Sequence, residues 1–548
     1  MQATAPNSNK EITADLVIYG ATPSGIMAAV QACRMGKSVA LLEPGQHIGG
    51  MAASGLGATD IGKPHLIGGL AREFYSQAYQ YYQSPEAWAA ETREAYAPRH
   101  RDAISEPGEL QFFIEPKVAQ ALFERFLRDH KVSVYFGERL DRTMLAESSQ
   151  RVAGVQMEGN RITSLRTESG RVFKAAVFID TSYEGDLMAG AGVPFMQGRE
   201  DNAQFGETLN GIQPADVQTI DPFRVEGQPE SGPLPGIEAS APGMPGTADQ
   251  RLQAYTFRIT LTDAPENRIP ITQPKNYDPE WYELWARSLA QDPDQFPGRN
   301  LFKLTPMPNR KTDSNNHGPF STDFVGQNYD WIEADYATRQ KIWEQHRDYV
   351  QGMLWFLGHD ERIPEKVRNE VLQWGLPKDE FEDTGHWPWQ LYVREARRLC
   401  GCYIITEHDS SGKVRSDDPV GMGSYAMDSH SVTRYVDAEG RLCHEGFFFS
   451  PAQPYGISYR ALIPEESVCS NLIVPVCISA THVAYGSARM EPVFMILGQS
   501  AATAAAQAID AGRSVQAIDY AQLQQRLLED GQILSAKSQS CEPAGAHQ

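Results

Sequence analysis

The stretch Tyr392-Val-Arg-Glu-Ala-Arg-Arg398 places three arginines and a glutamate within seven residues. Read as a helix, it puts Arg394 and Arg398 on one face, with Arg397 close to it. Buried, such a cluster binds a carboxylate or a polyhydroxylated molecule; exposed, it is a salt-bridged surface. His482 stands in a second stretch, Thr481-His-Val-Ala-Tyr-Gly-Ser-Ala-Arg-Met-Glu-Pro492. That stretch reads as a polar loop between a strand over 471–480 and a helix starting at Pro492. Histidine changes charge near neutral pH, so His482 can take a proton from an alcohol; a histidine that only holds the loop leaves the same trace. Tyr485 suits a proton relay or a ring wall. Asp428 and His430 are two residues apart and share a face if the chain is extended, as an acid–base pair or a hydrogen-bonded brace. Tyr455 and Arg460 complete the set.

These groups need a frame. Asp15-Leu-Val-Ile-Tyr-Gly-Ala-Thr-Pro-Ser-Gly-Ile-Met-Ala-Ala29 reads as a buried strand, a tight glycine turn and the start of a helix. Ser38-Val-Ala-Leu-Leu-Glu43 reads as a second strand ending in an acid. This is the layout of a dinucleotide-binding βαβ unit, with backbone N–H groups aimed at a pyrophosphate and Glu43 set to accept from a ribose diol. Thr22 stands where the second glycine of the usual pattern falls.

The 548 residues carry a net charge of −21, with 41% hydrophobic and 22% charged residues, which predicts an ordinary globular protein repelled by nucleic acid. The most apolar run, 493–509, contains glycine, glutamine, serine and threonine and reads as a closely packed core helix rather than a membrane span. The polar start, Met1 to Lys10, leaves the compartment open between cytoplasmic and periplasmic or secreted. Seven cysteines, Cys541 among them, are too few and too scattered for a disulfide scaffold. Cys400-Gly-Cys402 is too short for a zinc ribbon, so no metal is expected. Helices are expected over 66–103 and from Pro116, a strand over 131–136, a β-meander over 151–172, and a buried strand at 175–180 running to a helix at Asp186. The expected division is 1–190 and 456–515 for the two parts of a nucleotide domain, 191–455 for a substrate or cap domain, and 516–548 for a C-terminal helix and loose tail.

Together, several segments resemble the FAD-dependent oxidoreductase family of the glutathione-reductase-type flavoprotein fold. They are the glycine loop, His47-Ile-Gly-Gly-Met51, Ile179-Asp-Thr-Ser-Tyr-Glu-Gly-Asp186, Tyr392–Arg398, Ser424-Tyr-Ala-Met-Asp-Ser-His430, Pro454-Tyr-Gly-Ile-Ser-Tyr-Arg460 and Ser479–Pro492. The resemblance spans most of the chain, with little from 200–380; Thr22 and the Cys400–Cys402 pair depart from it. It implies an α/β fold: a Rossmann-like FAD-binding domain with a β-meander and an inserted α+β substrate/cap domain. The implied cofactor is non-covalent FAD; His47 lies nearer its glycine pair than the usual histidine linkage site. The residues implied to hold FAD are Gly20, Thr22, Pro23, Ser24, Gly25, Glu43, Pro44, Gly49, Gly50, Met51, Ser54, Asp180, Asp186, Arg489, Glu491 and Val493. The helix after Arg489 is implied to face the flavin pyrimidine end, where its N-terminus stabilises negative charge.

The implied reaction is oxidation of a CH–OH or CH–NH group of a small polar substrate by hydride transfer to flavin N5. His482 is then the first candidate base, supported by Tyr485, Arg394, Arg398 and His430. Alternatives are a lyase or isomerase with a non-redox flavin, and a non-catalytic flavin-binding protein. No second glycine loop with a downstream acid is visible. An organic substrate rather than NAD(P)H is therefore expected to reduce the flavin, with oxygen, a quinone or a protein carrier as acceptor.

Overall fold

Leu16–Tyr19 is buried at all four positions, as a parallel strand covered on both faces must be. In the computed structural model it pairs in parallel with Val39–Glu43 on one side and Val177–Asp180 on the other. Ser133–Phe136 and Leu472–Ile473 complete a five-stranded parallel sheet, with Leu472–Ile473 at the Val177–Asp180 edge. The structure describes residues 10–96, 104–105, 109–145, 151–294, 303–318 and 320–536. Cys541, Met1 to Asn9, residues 97–103 of the expected helical stretch and the tail from 537 lie outside them.

The first strand leaves through Gly20, whose φ of 104° favours glycine, into the helix Pro23–Arg34. Thr22 caps that helix. Its hydroxyl accepts from the Gly25 N–H at 3.3 Å and donates to the Thr181 carbonyl at 2.8 Å. One side chain thus ties the turn to the helix start and to the neighbouring strand, which explains a threonine at this glycine position.

The expected meander is present as Val155–Glu158, Arg161–Arg166 and Val172–Lys174, with Glu11–Thr13 added in parallel at its edge. The amphipathic helix runs from Pro116 to Asp129. Within the expected 66–103 stretch the helices are Gly69–Tyr81 and Arg93–Tyr96. Residues 259–377 contribute a five-stranded antiparallel sheet, Arg268–Pro270, Gly375–Pro377, Ile259–Thr262, Lys311–Ser314 and Leu304–Met307 in spatial order, and the long helix Tyr336–His359. The fold is α/β, with parallel and antiparallel sheets.

Three local expectations are corrected. Residues 393–397 are not helical, and Arg398–Leu399 is a short strand paired with Phe195–Met196. The buried charges of this segment have partners on different sides, which an extended chain reaches and one helical face does not. The polar stretch from Thr481 is a helix, His482–Ala488, whose N-terminus is closed by the Thr481 hydroxyl accepting from Ala484 N–H. Of the strand expected over 471–480, only Leu472–Ile473 joins the parallel sheet; Pro475 has no N–H to offer its ladder, and Ala480 bridges Ile405 instead.

The alanine-rich run is the helix Glu491–Ala511, packed on Pro23–Arg34. It is long and apolar enough to cross a membrane, yet 89% of its apolar window is buried inside the protein. The two helices come close at Gly498, where a Cβ would lie 2.1 Å from the Ser24 carbonyl oxygen. Gly498→Ala forces the two helices apart and is expected to destabilise the protein by about 1–3 kcal/mol, with loss of retained flavin. Thermal unfolding and the flavin-to-protein absorbance ratio read this out; an unchanged Tm would contradict it.

Candidate functional site

A cleft of about 450 Å³ opens at the C-terminal ends of the parallel strands, where open α/β sheets bind nucleotides. Of the expected cofactor residues, Gly20, Thr22, Glu43, Pro44, Gly50 and Asp186 line it. Glu43 accepts from the Ala21 N–H at 2.9 Å and the Gly45 N–H at 2.7 Å. Desolvation of the carboxyl pushes its pKa up to about 7, against the pull of those N–H groups. The glycine turn, the acid at the second strand's end and the size of the cleft fit the adenosine and pyrophosphate parts of FAD.

Sequence reasoning missed the opposite wall. Trp331, Tyr336 and Arg339 come from the middle of the chain and carry no local motif. Arg339 holds Asp186 through both guanidinium nitrogens at 2.6 and 2.9 Å, and Arg397 reaches the same carboxylate at 3.0 Å. Burial raises the Asp186 pKa, but Arg339, Arg142 and Arg397 outweigh it and hold the carboxyl well below its usual range. His47 also lines the cleft, stacked on Trp389 at 4.5 Å, with Nε2 2.8 Å from Asp383.

Other expected cofactor residues stand back from this wall. Pro23, Ser24, Gly25, Gly49 and Met51 are buried beneath it. The Ser54 hydroxyl accepts from Gln390 N–H, fixing the next segment of the wall. Asp180 does not reach the cleft: it is fully buried and accepts from Ser182 N–H, Ser182 Oγ and Met188 N–H, bracing the turn after its strand. The Glu491 carboxylate accepts from Tyr183 OH at 2.7 Å, and Tyr183 in turn accepts from Met51 N–H at 3.0 Å. Burial pushes Glu491 up to about 8. Val493 lies in a narrow crevice beside Asp60 and Tyr425.

A second cavity, about 490 Å³, brings Asp428, His430 and Arg489 together. His430 Nδ1 lies 2.7 Å from Asp323 Oδ2, and Arg394 grips the other Asp323 oxygen at 2.9 Å. Burial works against ionisation of Asp323, but Arg394 and His430 hold its carboxyl down at about 2. An ionised carboxylate only accepts, so Nδ1 carries the hydrogen and Nε2 is the acceptor nitrogen. Burial and the Arg394 cation lower the His430 pKa, against the pull of Asp323, so the ring is neutral at neutral pH. Arg489 pairs with Asp428 at 3.1 Å and takes the Tyr392 hydroxyl at 3.0 Å. The three arginines of the stretch are buried and pair with the protein's own carboxylates, and Arg394 stands behind the wall, over the Tyr392 ring at 4.8 Å. Asp323 carried no recognisable sequence signal.

His482 lies elsewhere. Its ring is buried, with Nδ1 2.8 Å from Glu395 Oε2, and its backbone N–H donates to Glu200. Arg398 pairs with Glu200 at 2.7 Å and Glu395 at 2.9 Å in the same network. The Tyr485 hydroxyl donates to the Val476 carbonyl, Tyr455 is buried, and Arg460 pairs with Asp418 near the surface. Among the described residues, one acidic group could hold a metal ion: Glu115, Asp379 and Glu380. The Lys311 ammonium stands within 2.8 Å of all three and supplies the balancing charge itself.

The sequence profile of the family described as FAD dependent oxidoreductase matches residues 15–527, and this chain belongs to that family. The cofactor that goes with this family is FAD. Among solved structures it is similar to the L-amino acid deaminase from Proteus vulgaris, at 15% identity and a TM-score of 0.25, covering 37% of this chain and 56% of that one. A second likeness is to the OxyS anhydrotetracycline hydroxylase from Streptomyces rimosus, at 14% identity and a TM-score of 0.24, covering 38% and 41%. Partial likenesses of this kind carry no argument about substrate. Comparison with curated proteins finds no match.

Glu43→Gln turns an acceptor of two backbone N–H groups into a partial donor. A buried hydrogen bond lost this way costs about 1–3 kcal/mol, so FAD affinity is expected to fall by about 10-fold or more. Fluorescence titration of the apoprotein with FAD measures it; equal affinity would remove Glu43 from the cofactor site.

Proposed function

We propose that the enzyme oxidises a CH–OH or CH–NH group of a small polar substrate in the second cavity, with His430 as the base. One observation carries this reading: the same wall presents a neutral imidazole, fixed in tautomer by an ionised aspartate, and an Arg489–Asp428 pair. Bound FAD supplies the hydride acceptor. His430 Nε2 takes the hydroxyl or amine proton, and Asp323 stabilises the imidazolium that results. Arg489 and Asp428 orient the polar substituents of the substrate, and Arg394 keeps Asp323 in place. On this reading His482 is a brace that locks the start of its helix to Glu200 and Glu395. Electrons leave to oxygen, a quinone or a protein carrier.

The domain reading follows the same lines. Residues 1–190 and 456–515 form the FAD-binding domain of a glutathione-reductase-type fold, 191–455 the inserted substrate domain, and 516–548 a C-terminal appendage. The parallel sheet built from both ends of the chain and the meander between its strands support that division.

Anaerobic mixing of the holoenzyme with alcohols, hydroxy acids, sugars and amines tests the reaction, because a true substrate bleaches the flavin absorbance. With that substrate, kcat/KM is expected to fall on an acid limb below the ordinary histidine range. The limb lies low because the pKa of His430 is depressed and only its neutral form accepts a proton. His430→Asn is expected to lower kcat/KM by about 100-fold or more and to abolish the limb. A variant that keeps the wild-type pH profile would remove His430 from the chemistry.

A further inference from the structure

The mouth of the second cavity carries two aromatic rings that the reaction proposed above does not use. Phe447 and Phe449 are 60% and 59% exposed, well above what large apolar side chains normally show. Strand pairing places them. Met427–Ser429 runs antiparallel to Phe448–Ser450, with Asp428 directly opposite Phe449. Alternation sends Phe448 to the other face, where it packs against His482 at 5.8 Å, and leaves Phe447 and Phe449 on the face of Asp428. Gly446 has φ of 99°, and a Cβ there would meet Val432 Cγ2 at 2.4 Å. Phe449 is held edge-on to Tyr425 at 6.2 Å, and the Tyr425 hydroxyl donates to Asp60 at 3.2 Å.

Deeper in, the wall changes character. Besides the Asp428–Arg489 pair, Asp60 lies 3.6 Å from Arg258. Asp60, Arg258, Asp428 and Arg489 all line the same cavity. The cavity therefore asks for a molecule with one apolar face and several hydroxyl groups on its edge. An aromatic ring attracts polarised C–H groups on its face, and paired carboxylate and guanidinium groups take vicinal hydroxyls.

Resting on the reaction proposed above, we infer that the substrate is a sugar: a pyranose ring that lays its C–H face on Phe447 and Phe449 and turns its hydroxyls toward Asp428, Arg489 and Asp60. The two phenylalanines are specificity residues, and the CH–OH group oxidised belongs to the ring they hold.

Anaerobic calorimetric titration of the holoenzyme with its flavin chemically reduced tests this without turnover. The probes are the methyl pyranosides of glucose, galactose, mannose and xylose, with glycerol and benzyl alcohol for comparison. At least one pyranoside is expected to bind about 10-fold tighter than glycerol and than benzyl alcohol; Phe449→Ala and Phe447→Ala each weaken it about 5-fold, while Phe449→Trp stays within about 2-fold. Flavin content and Tm are expected to be unchanged, since both rings are exposed. Pyranosides that bind no better than glycerol, or benzyl alcohol binding best, would overturn the inference. So would alanine variants that bind like wild type. A pyranoside that binds in this way and never bleaches the flavin leaves the sugar site standing and sinks the oxidation reading. A ringless substrate that bleaches it equally in wild type and Phe449→Ala does the reverse.

Discussion

The approach of the helix Glu491–Ala511 to the helix Pro23–Arg34 is the constraint on which both cavities depend. Gly498 lets the two backbones meet at a distance no side chain permits. That contact puts the C-terminal helix against the glycine turn, and Glu491 then reaches Tyr183 and through it the Met51 N–H. Two residues upstream, Arg489 stands between the helices His482–Ala488 and Glu491–Ala511 and enters the second cavity. The interface is close-packed, with Gln31 donating to Thr503 across it, so a displacement of one helix is transmitted rather than absorbed.

A second layer of order comes from buried charge. Arg394, Arg397 and Arg398 follow one another in extended chain and reach Asp323, Asp186 and Glu200 respectively. Each is a pair whose members lie far apart in sequence. Ion pairs at such depth add little net stability, but removing one partner strands a charge in a low-dielectric interior. Their effect is specificity of arrangement: one short segment fixes a wall of the first cleft, a wall of the second cavity and the His482 network at the same time.

The strand, turn, helix and acid of the first 43 residues were legible because their chemistry is local: periodicity, a glycine at positive φ, a proline at the helix start and a carboxylate at the strand end all fall within one window. The meander and the alanine-rich helix were legible for the same reason. The arginine stretch misled. Charges three and four apart suggest a helix face, and nothing local reveals that their partners lie on opposite sides. The helix His482–Ala488 was hidden by Gly486 and Ser487, although Thr481 was a cap in plain view. Asp323 and Arg339 were illegible in principle. Their charged partners lie 71 to 153 positions away, and a lone aspartate or arginine carries no periodic or motif signal. Asp428 and His430 were paired correctly by spacing, while the residue that fixes the imidazole could come only from the folded chain.

The parallel sheet and its helices are assembled from opposite ends of the polypeptide, and this sets an order of events at the ribosome. The loop helix emerges early with its small-residue face bare. Its covering helix, and the edge strand Leu472–Ile473 beside Val177–Asp180, follow about 300–450 residues later, an interval on the order of a minute at typical translation rates. Throughout that time the nascent chain presents an open sheet edge and an uncovered apolar groove. A ribosome that stalls, or a transcript that stops short of Ala511, therefore releases a chain whose opening βαβ unit is fully made and has nothing to close against.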